Sequence, residues 1–260
     1  MRIFVVCIFL LTSCSGTKFE NIPNSITVDS GSFVLLDAEN AKVDGYVLSK
    51  NNKELLVYGL PYVNEDTVLR LGDYELLILR KDFGESRIEI LDQNLVSPEL
   101  EDQKRASAEY LKVRKIIKNK TYQFDNNFEF QAPIQSVITS AYGKRRFINN
   151  NERSPHMALD LRGAVGQEII APKTGRVVLA ENHFYGGEKV ILDHGGGLFT
   201  AYSHMSEILV GLGDVIEAGE LIGLAGMTGR VTGPHLHWEV FLNENRINPE
   251  LLIDLEYAQD

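Results

Sequence analysis

Thr232-Gly233-Pro234-His235-Leu236-His237-Trp238-Glu239-Val240 is the most informative stretch of this 260-residue chain. Side chains of a β-strand alternate between the two faces of a sheet, so His235 and His237 are expected to point the same way. Leu236 and Trp238 then share the opposite face, where a hydrophobic core would form. Two neighbouring imidazoles on one face of a strand are what a metal site requires.

A second stretch, His156-Met157-Ala158-Leu159-Asp160, could complete such a site. A spacing of four places the imidazole and the carboxylate on one face of either a helix or a strand, but Pro155 and Gly163 argue against a helix. One imidazole and one carboxylate from here, with one imidazole from the later pair, give three ligands. Zinc with three protein ligands keeps a fourth position for water, which is the catalytic pattern.

A third stretch, Thr200-Ala201-Tyr202-Ser203-His204, follows the glycine turn at 195–197. Strand alternation predicts His204 on the same face as Tyr202. A histidine from a third region suits a general base or a hydrogen-bond donor to the transition state.

The rest of the chain predicts a mainly β protein. From Pro133 onward, glycines punctuate short β-runs without helical periodicity, which indicates a compact all-β unit. Between Ser25 and Asp92, short strand-like runs alternate with turn signals and predict a small antiparallel sandwich. The runs are 31–36, 45–48, 54–58, 67–69, 74–79 and 87–91.

One helix is expected between these two β-regions. Ser97-Pro98-Glu99 has a capping serine followed by proline at the first helical position. The residues that recur at helical spacing, and should form the buried stripe, are Ala106, Tyr110, Val113 and Ile117.

Residues 1–16 resemble an export signal. Arg2 precedes the apolar run 3–11, which is shorter than the roughly 20 residues of a membrane span and has the length of a secretory signal. Leu11-Thr12-Ser13-Cys14 resembles the lipobox of bacterial lipoproteins, which implies acylation of Cys14 and a membrane anchor. A plain secretory signal with an incidental cysteine is the alternative. The chain has only two cysteines, Cys7 and Cys14, so the exported part has no disulfide.

Taken in order, His156-x-x-x-Asp160, Tyr202-x-His204 and His235-x-His237 resemble the lysostaphin/LytM family of zinc endopeptidases. The flanking sequences 138–145, 171–175 and 219–234 match the same family, and the resemblance runs from about Pro133 to Pro249.

The resemblance implies that His156, Asp160 and His237 bind one zinc ion and that His204 and His235 are catalytic. Which histidine accepts a proton and which stabilises the oxyanion stays open. In two departures from the family pattern, Ala158 replaces a glycine and Met205 replaces a leucine.

The implied function is hydrolysis of peptide bonds in peptidoglycan stem peptides or cross-links during cell-wall remodelling. The implied architecture is a signal segment (1–16), a small β-sandwich (17–96), a linking helix (97–125) and a barrel-like antiparallel peptidase domain with an open groove (126–260). The envelope location would be the periplasmic face of an outer membrane or an extracytoplasmic membrane surface. A regulatory partner, or shielding by the sandwich or by the loop 149–151, is a further hypothesis.

Two other functions are considered. A catalytically silent LytM-type regulator of another wall hydrolase would have a broken ligand set, and a lipoyl- or biotinyl-carrier module needs a lysine that Met227-Thr228-Gly229-Arg230 lacks. A net charge of −10 argues against binding nucleic acid.

Three other residues are given mainly structural interpretations. His183 is expected in a loop and His194 at a hairpin, with a supporting role near the metal as its alternative. Glu239 is expected to be a surface carboxylate or to orient His237.

Overall fold

The structure of the protein is a computed structural model that describes residues 24–50 and 53–253. The predicted signal segment and Cys14 lie outside the described residues. Within the described ranges the chain is mainly β, which confirms the predicted fold class. No helix in this part of the chain is long and apolar enough to cross a membrane.

The strands of the amino-terminal part are β1 (Ser25–Asp29), β2 (Phe33–Asp37), β3 (Tyr46–Lys50), β4 (Lys53–Gly59), β5 (Thr67–Leu71), β6 (Tyr74–Leu79) and β7 (Glu85–Ile88). The helices are α1 (Ala38–Ala41), α2 (Gln93–Val96) and α3 (Leu100–Ile116), with a 3-10 helix at Pro249–Leu252. The strands of the carboxy-terminal part are β8 (Ile138–Ser140), β9 (Arg145–Ile148), β10 (Asn151–Arg153), β11 (Leu159–Arg162), β12 (Glu168–Ile170), β13 (Gly175–His183), β14 (Gly187–Gly195), β15 (Leu198–Ile208), β16 (Val215–Ile216), β17 (Leu221–Ala225), β18 (His235–Leu242) and β19 (Asn245–Ile247).

A ten-stranded antiparallel sheet dominates the carboxy-terminal part. Its main path runs β16-β13-β14-β15-β18-β11-β8, while β17 joins β15 to β12 and β19 pairs with β18. The described strands leave this sheet open, so the barrel-like shape expected from the sequence is not a closed barrel. Leu236 and Trp238 of β18 are fully buried in its core, as strand alternation predicts.

Two three-stranded sheets form the amino-terminal sandwich. The sheets β1-β6-β5 and β2-β4-β3 pack around a shared core that includes Leu36, Leu56 and Leu76. The expectation of a purely antiparallel sandwich is wrong, because β1 pairs with β6 in parallel. The sequence pattern also does not predict β1.

Strand β4 connects the sandwich to the large sheet. Leu55, Leu56 and Val57 are consecutive and all buried, because both faces of β4 are covered. Leu56 lies in the sandwich core, whereas Val57 lies in the core of the ten-stranded sheet, together with Tyr46. A strand buried on both faces has a continuous apolar sequence, as this one does.

A third small sheet, β7-β9-β10, lies beside the large one. Strand β7 pairs in parallel with β9, so the run near residue 88 joins the carboxy-terminal part and not the sandwich. The β9–β10 hairpin turns through Asn149 and Asn150, both with positive φ, as such a tight turn requires. Asn149 also accepts from the Ile90 amide (2.8 Å) and donates to the Ile90 carbonyl (2.9 Å), which fastens the turn to the chain after β7.

Helix α3 begins later and packs less than its sequence suggests. Glu99 is its N-cap, and Ser97 and Pro98 precede the helix. Val113 and the adjacent Ile117 are buried, but Tyr110 is 56% exposed. The predicted buried stripe is therefore confirmed only at the carboxyl end, where the helix contacts the large sheet.

Candidate metal centre

Strand pairing brings Asp160 and His237 together. The antiparallel register of β11 and β18 places Asp160 directly opposite His237, and β15 places Ser203 on the other side of the same histidine. Directly opposed residues have Cβ atoms about 5 Å apart on one face of the sheet. The Asp160 Oδ1 and His237 Nδ1 atoms are 2.7 Å apart.

His156 reaches the same place from outside a strand. It lies in the irregular segment before β11, so the strand geometry expected between His156 and Asp160 is wrong. Its amide donates to the Lys144 carbonyl (2.9 Å), and its carbonyl accepts from the Gly143 amide (2.6 Å). These bonds set its position. Ala158 also precedes β11 and is fully buried in the core, so its methyl group does not narrow a groove.

Three donor atoms therefore converge. His156 Nε2 is 3.0 Å from Asp160 Oδ1 and 3.3 Å from His237 Nδ1. Donors around a tetrahedral zinc ion, with bonds of about 2.0–2.2 Å, lie roughly 3.3 Å apart. The separations from His156 Nε2 match this spacing to within a few tenths of an ångström, and the 2.7 Å between Asp160 Oδ1 and His237 Nδ1 is shorter. The donor set of two nitrogens and one carboxylate oxygen is one that zinc prefers.

The protonation states also suit a cation. The His156 Nδ1–H donates to the Ala141 carbonyl (3.0 Å), which leaves the Nε2 lone pair facing Asp160. Burial raises the pKa of Asp160, but the neighbouring imidazoles of His237 and His156 hold it well below its usual range. Burial lowers the pKa of His237 to about 4, so this imidazole is neutral at pH 7. The site thus offers one negative charge, on Asp160, beside two imidazole nitrogens.

His204 reaches the site through a strained backbone. Strand β15 pairs with β18 as far as Ser203 and with β17 from Met205 onward. At the junction, His204 has φ 66°, a left-handed conformation that is rare for residues other than glycine and clusters at functional sites.

The prediction that His204 shares a face with Tyr202 is wrong. Tyr202 is fully buried in the core and its hydroxyl is 2.7 Å from Thr200 Oγ1. The ring of His204 instead lies 4.9 Å from that of His235 and 5.5 Å from that of His237. We call His156, Asp160, His204, His235 and His237 the histidine cluster.

Backbone carbonyls orient both remaining imidazoles. His204 Nδ1 donates to Thr228 O (2.9 Å) and His235 Nδ1 donates to Gly233 O (2.8 Å), so each Nε2 keeps its lone pair. Burial, followed by the charges of His237 and His235, holds the pKa of His204 well below its usual range. Sequence reasoning did not identify these carbonyl acceptors, because a backbone group leaves no signature in the residue type.

A second group of donors overlaps the first. His204, His235 and His237 also lie close enough together to contact one ion. This set contains no carboxylate, whereas the set with Asp160 supplies one that balances a divalent cation in a buried place. Charge therefore favours His156, Asp160 and His237 as the ligand set.

The other candidate residues lie outside the cluster. Glu239 is not a surface carboxylate, since it is 6% exposed and accepts from Lys189 Nζ (2.8 Å) and Arg246 Nε (2.7 Å). His183 ends strand β13, where its Nε2 lies 3.0 Å from Glu181 Oε1. His194 is fully buried within β14, 2.7 Å from Thr200 Oγ1. His183 lies in a strand and not in the expected loop, whereas His194 lies beside the turn of the β14–β15 hairpin, as expected.

Known proteins are similar to the part of the chain that contains the histidine cluster. Residues 154–249 match the model for Peptidase family M23. Over 112 residues the chain is 39% identical to the peptidoglycan DD-endopeptidase ShyA of Vibrio cholerae, which is 43% of this chain and 26% of ShyA. Over 130 residues it is 31% identical to the DD-carboxypeptidase/endopeptidase Mpg of Neisseria meningitidis, which is 50% of this chain and 30% of Mpg. The chain thus spans under a third of the length of these relatives.

A crystal structure of a peptidase M23 from Pseudomonas aeruginosa has the same fold, with a TM-score of 0.66 at 24% sequence identity. The match covers 86% of this chain and 93% of that one, so the fold is shared beyond the matched domain. The resemblance to the lysostaphin/LytM family is confirmed, and the chain contains a Peptidase M23 domain.

Proposed function

We propose that this M23 domain is a zinc-dependent endopeptidase that hydrolyses peptide bonds in the stem peptides or cross-links of peptidoglycan. The observation that carries the proposal is the assembly of the complete histidine cluster on one face of the open sheet. The name of the relative ShyA, a peptidoglycan DD-endopeptidase, supports peptidoglycan as the substrate. The side chains of His235 and His237 keep 16% and 18% exposure, so a substrate can reach them.

His156, Asp160 and His237 would hold the metal. Bound there, zinc would supply Lewis acidity toward the scissile carbonyl and lower the pKa of the attacking water from about 16 to about 7. The Ala141 carbonyl, by fixing the tautomer of His156, keeps its Nε2 lone pair on the metal side. Asp160 supplies the only negative charge within this ligand set.

His204 and His235 would move the proton. The Nδ1 proton of each is bonded to a backbone carbonyl, so the Nε2 atom of either can accept a proton from the attacking water. The carbonyl that accepts from Nδ1 stabilises the resulting imidazolium. Once protonated, the same Nε2 becomes a donor that can stabilise the oxyanion or protonate the leaving amine. The two histidines can therefore divide these roles in either order.

A catalytically silent regulator is the second candidate. Such a protein needs the M23 surface but not an intact cluster. Here all five side chains are present and lie within reach of one another. This completeness favours the enzyme.

We further propose an envelope location through acylation of Cys14, on the strength of the lipobox-like sequence at residues 11–14. Labelling cells with an alkyne-bearing fatty acid should mark the wild-type protein and not the Cys14→Ala variant. Equal labelling of both would dispose of the anchor.

Digestion of purified peptidoglycan, with mass analysis of the fragments, tests the enzymatic proposal and identifies the bond cut. The zinc-loaded chain should release peptides, whereas chelator-treated protein and the His237→Ala variant should not. Undiminished release by His237→Ala would contradict the assigned chemistry, and no release by any sample would favour the regulator.

A further inference from the structure

Arg146 and Arg153 form a like-charge pair beside the histidine cluster. The antiparallel register of β9 and β10 places them directly opposite each other. Opposed residues on one face have Cβ atoms about 5 Å apart, and like charges in this position destabilise a strand pair. Neither arginine forms an ion pair among the residues that the structure describes. An anion from outside the chain would offset this repulsion between the two arginines.

Arg230 adds a third positive charge. It lies in the loop between β17 and β18, where its amide donates to the Tyr185 carbonyl (2.9 Å) and its guanidinium lies 4.1 Å from the centre of the Tyr185 ring. Burial lowers the pKa of Arg230, and the charges of Arg146 and Arg153 lower it further. The three guanidinium groups are therefore close enough to repel one another. Arg230 also has no ion-pair partner in the described part of the chain.

This arginine cluster, defined as Arg146, Arg153 and Arg230, borders the histidine cluster on two sides. Lys144 directly precedes the β9–β10 hairpin and His156 follows it closely in sequence. The His156 amide donates to the Lys144 carbonyl, which ties the base of the hairpin to the histidine cluster. Burial lowers the pKa of Arg146, and the negative charge of Asp160 opposes that shift. The loop that carries Arg230 also carries the Thr228 carbonyl that holds His204.

The contacts that the arginines do make are weak. Arg153 Nη2 donates to the Val96 carbonyl (3.3 Å) and Arg230 Nη1 donates to the Leu95 carbonyl (3.5 Å). Both bonds are longer than the usual 2.7–3.2 Å range of an N–H···O bond. Both acceptors are uncharged carbonyls at the end of α2, so neither bond supplies a counter-charge.

We propose that Arg146, Arg153 and Arg230 form a carboxylate-binding subsite that selects peptide substrates carrying a free carboxylate near the scissile bond. Guanidinium groups match the planar, two-oxygen geometry of a carboxylate, and the anionic groups of an unmodified peptide are carboxylates. The subsite deepens the proposed endopeptidase function and rests on it. In the present structure the carbonyls of Leu95 and Val96 accept the hydrogen bonds of Arg230 and Arg153 that a substrate carboxylate would replace.

The test uses cross-linked peptide dimers released from peptidoglycan, in native form and after carbodiimide coupling of their carboxylates to ammonia. For the zinc-loaded full chain, kcat/KM should be about 10- to 100-fold higher for the native dimers, as expected for charge-assisted hydrogen bonds. Arg153→Gln and Arg230→Gln should each lower this ratio several-fold. Arg80→Gln, at an exposed arginine of the sandwich region, is the charge-matched control and should keep the wild-type ratio.

Calorimetric binding of the two dimer preparations separates failure of the subsite from failure of the enzyme. If neither dimer is cleaved, the endopeptidase proposal fails, and a preference for native dimers in binding still decides the subsite. A wild-type ratio near one, in hydrolysis and in binding, overturns the subsite. If the arginines only hold α2 in place, the Gln variants will lower the melting temperature and leave the ratio unchanged, which also overturns it.

Discussion

Two buried carboxylates on neighbouring strands have opposite surroundings. Glu239 of β18 contacts two cationic side chains, Lys189 and Arg246, at 2.8 and 2.7 Å. Asp160 of β11 is surrounded instead by three imidazoles, at 3.0, 2.7 and 3.8 Å. Burial raises the pKa of Glu239, but its two cations hold it well below the usual range.

The difference separates a structural charge from a functional one. Glu239 is compensated by groups that are always cationic, so its network needs nothing from solution. His156, His235 and His237 are partners that can be neutral, and a neutral imidazole cannot balance the charge of Asp160. A divalent cation would supply the missing charge at the proposed ligand set.

The largest expected effect comes from removing that charge. Asp160→Asn should reduce bound zinc and peptidoglycan hydrolysis to background, because a neutral amide is a poor zinc ligand. Glu239→Gln, the matched change in the compensated network, should retain zinc. Metal analysis by plasma mass spectrometry on both purified variants makes the comparison, and equal zinc content would remove the distinction between the two carboxylates.

The next effect separates proton transfer from metal binding. His204→Gln should keep zinc at the wild-type level and lower kcat by about 10²- to 10⁴-fold, the usual contribution of a general acid or base. Steady-state rates with zinc content measured on the same samples test this. Loss of zinc in this variant would instead assign His204 to the ligand set.

A third effect concerns folding and not catalysis. Glu239→Ala leaves Lys189 buried without its partner and should lower the free energy of unfolding by about 3–5 kcal/mol. In zinc-free protein, Asp160→Asn should lower the free energy of unfolding by much less, since Asp160 has no permanently cationic partner that the change would leave unpaired. Urea titrations of both variants measure the difference. Equal destabilisation would show that the two sites are electrostatically alike.

Strand alternation predicted the site where the strands are regular and failed where they are not. It placed His235 and His237 on one face and Trp238 in the core because β18 is an uninterrupted strand. It misplaced His204, whose left-handed backbone reverses the alternation at the point where β15 changes partners. It did not predict the burial of Glu239, since Lys189 and Arg246 come from other strands.

The order of the three histidine motifs along the chain gave information that strand alternation alone did not give. The spacing of four singled out the His156–Asp160 pair, and the family resemblance assigned it to zinc, although His156 lies outside any strand. The sequence did not predict that β4, a strand of the sandwich, also contributes Val57 to the core of the ten-stranded sheet. The only sequence signal for this double burial is an apolar run of three residues in β4, and a run of this length fits either a buried strand or a buried helical segment.

The smallest effect tests a buried group with no charged partner. Burial lowers the pKa of His194 to about 4, below the usual 6.5, so the folded state favours the neutral ring. Its contribution to stability is present above about pH 6.5 and is lost as the pH falls toward 4, by up to about 3 kcal/mol. Unfolding titrations between pH 7 and 4 should show a steeper decline for the wild type than for His194→Gln. Parallel declines would contradict the shift.

The most direct measurement of the Asp160 environment is an anomalous difference map at the zinc absorption edge, from crystals of the zinc-loaded chain. We expect one peak, bounded within about 2.3 Å by His156 Nε2, Asp160 Oδ1 and His237 Nδ1. A peak held by His204, His235 and His237, or no peak in zinc-replete crystals, would contradict the proposed centre.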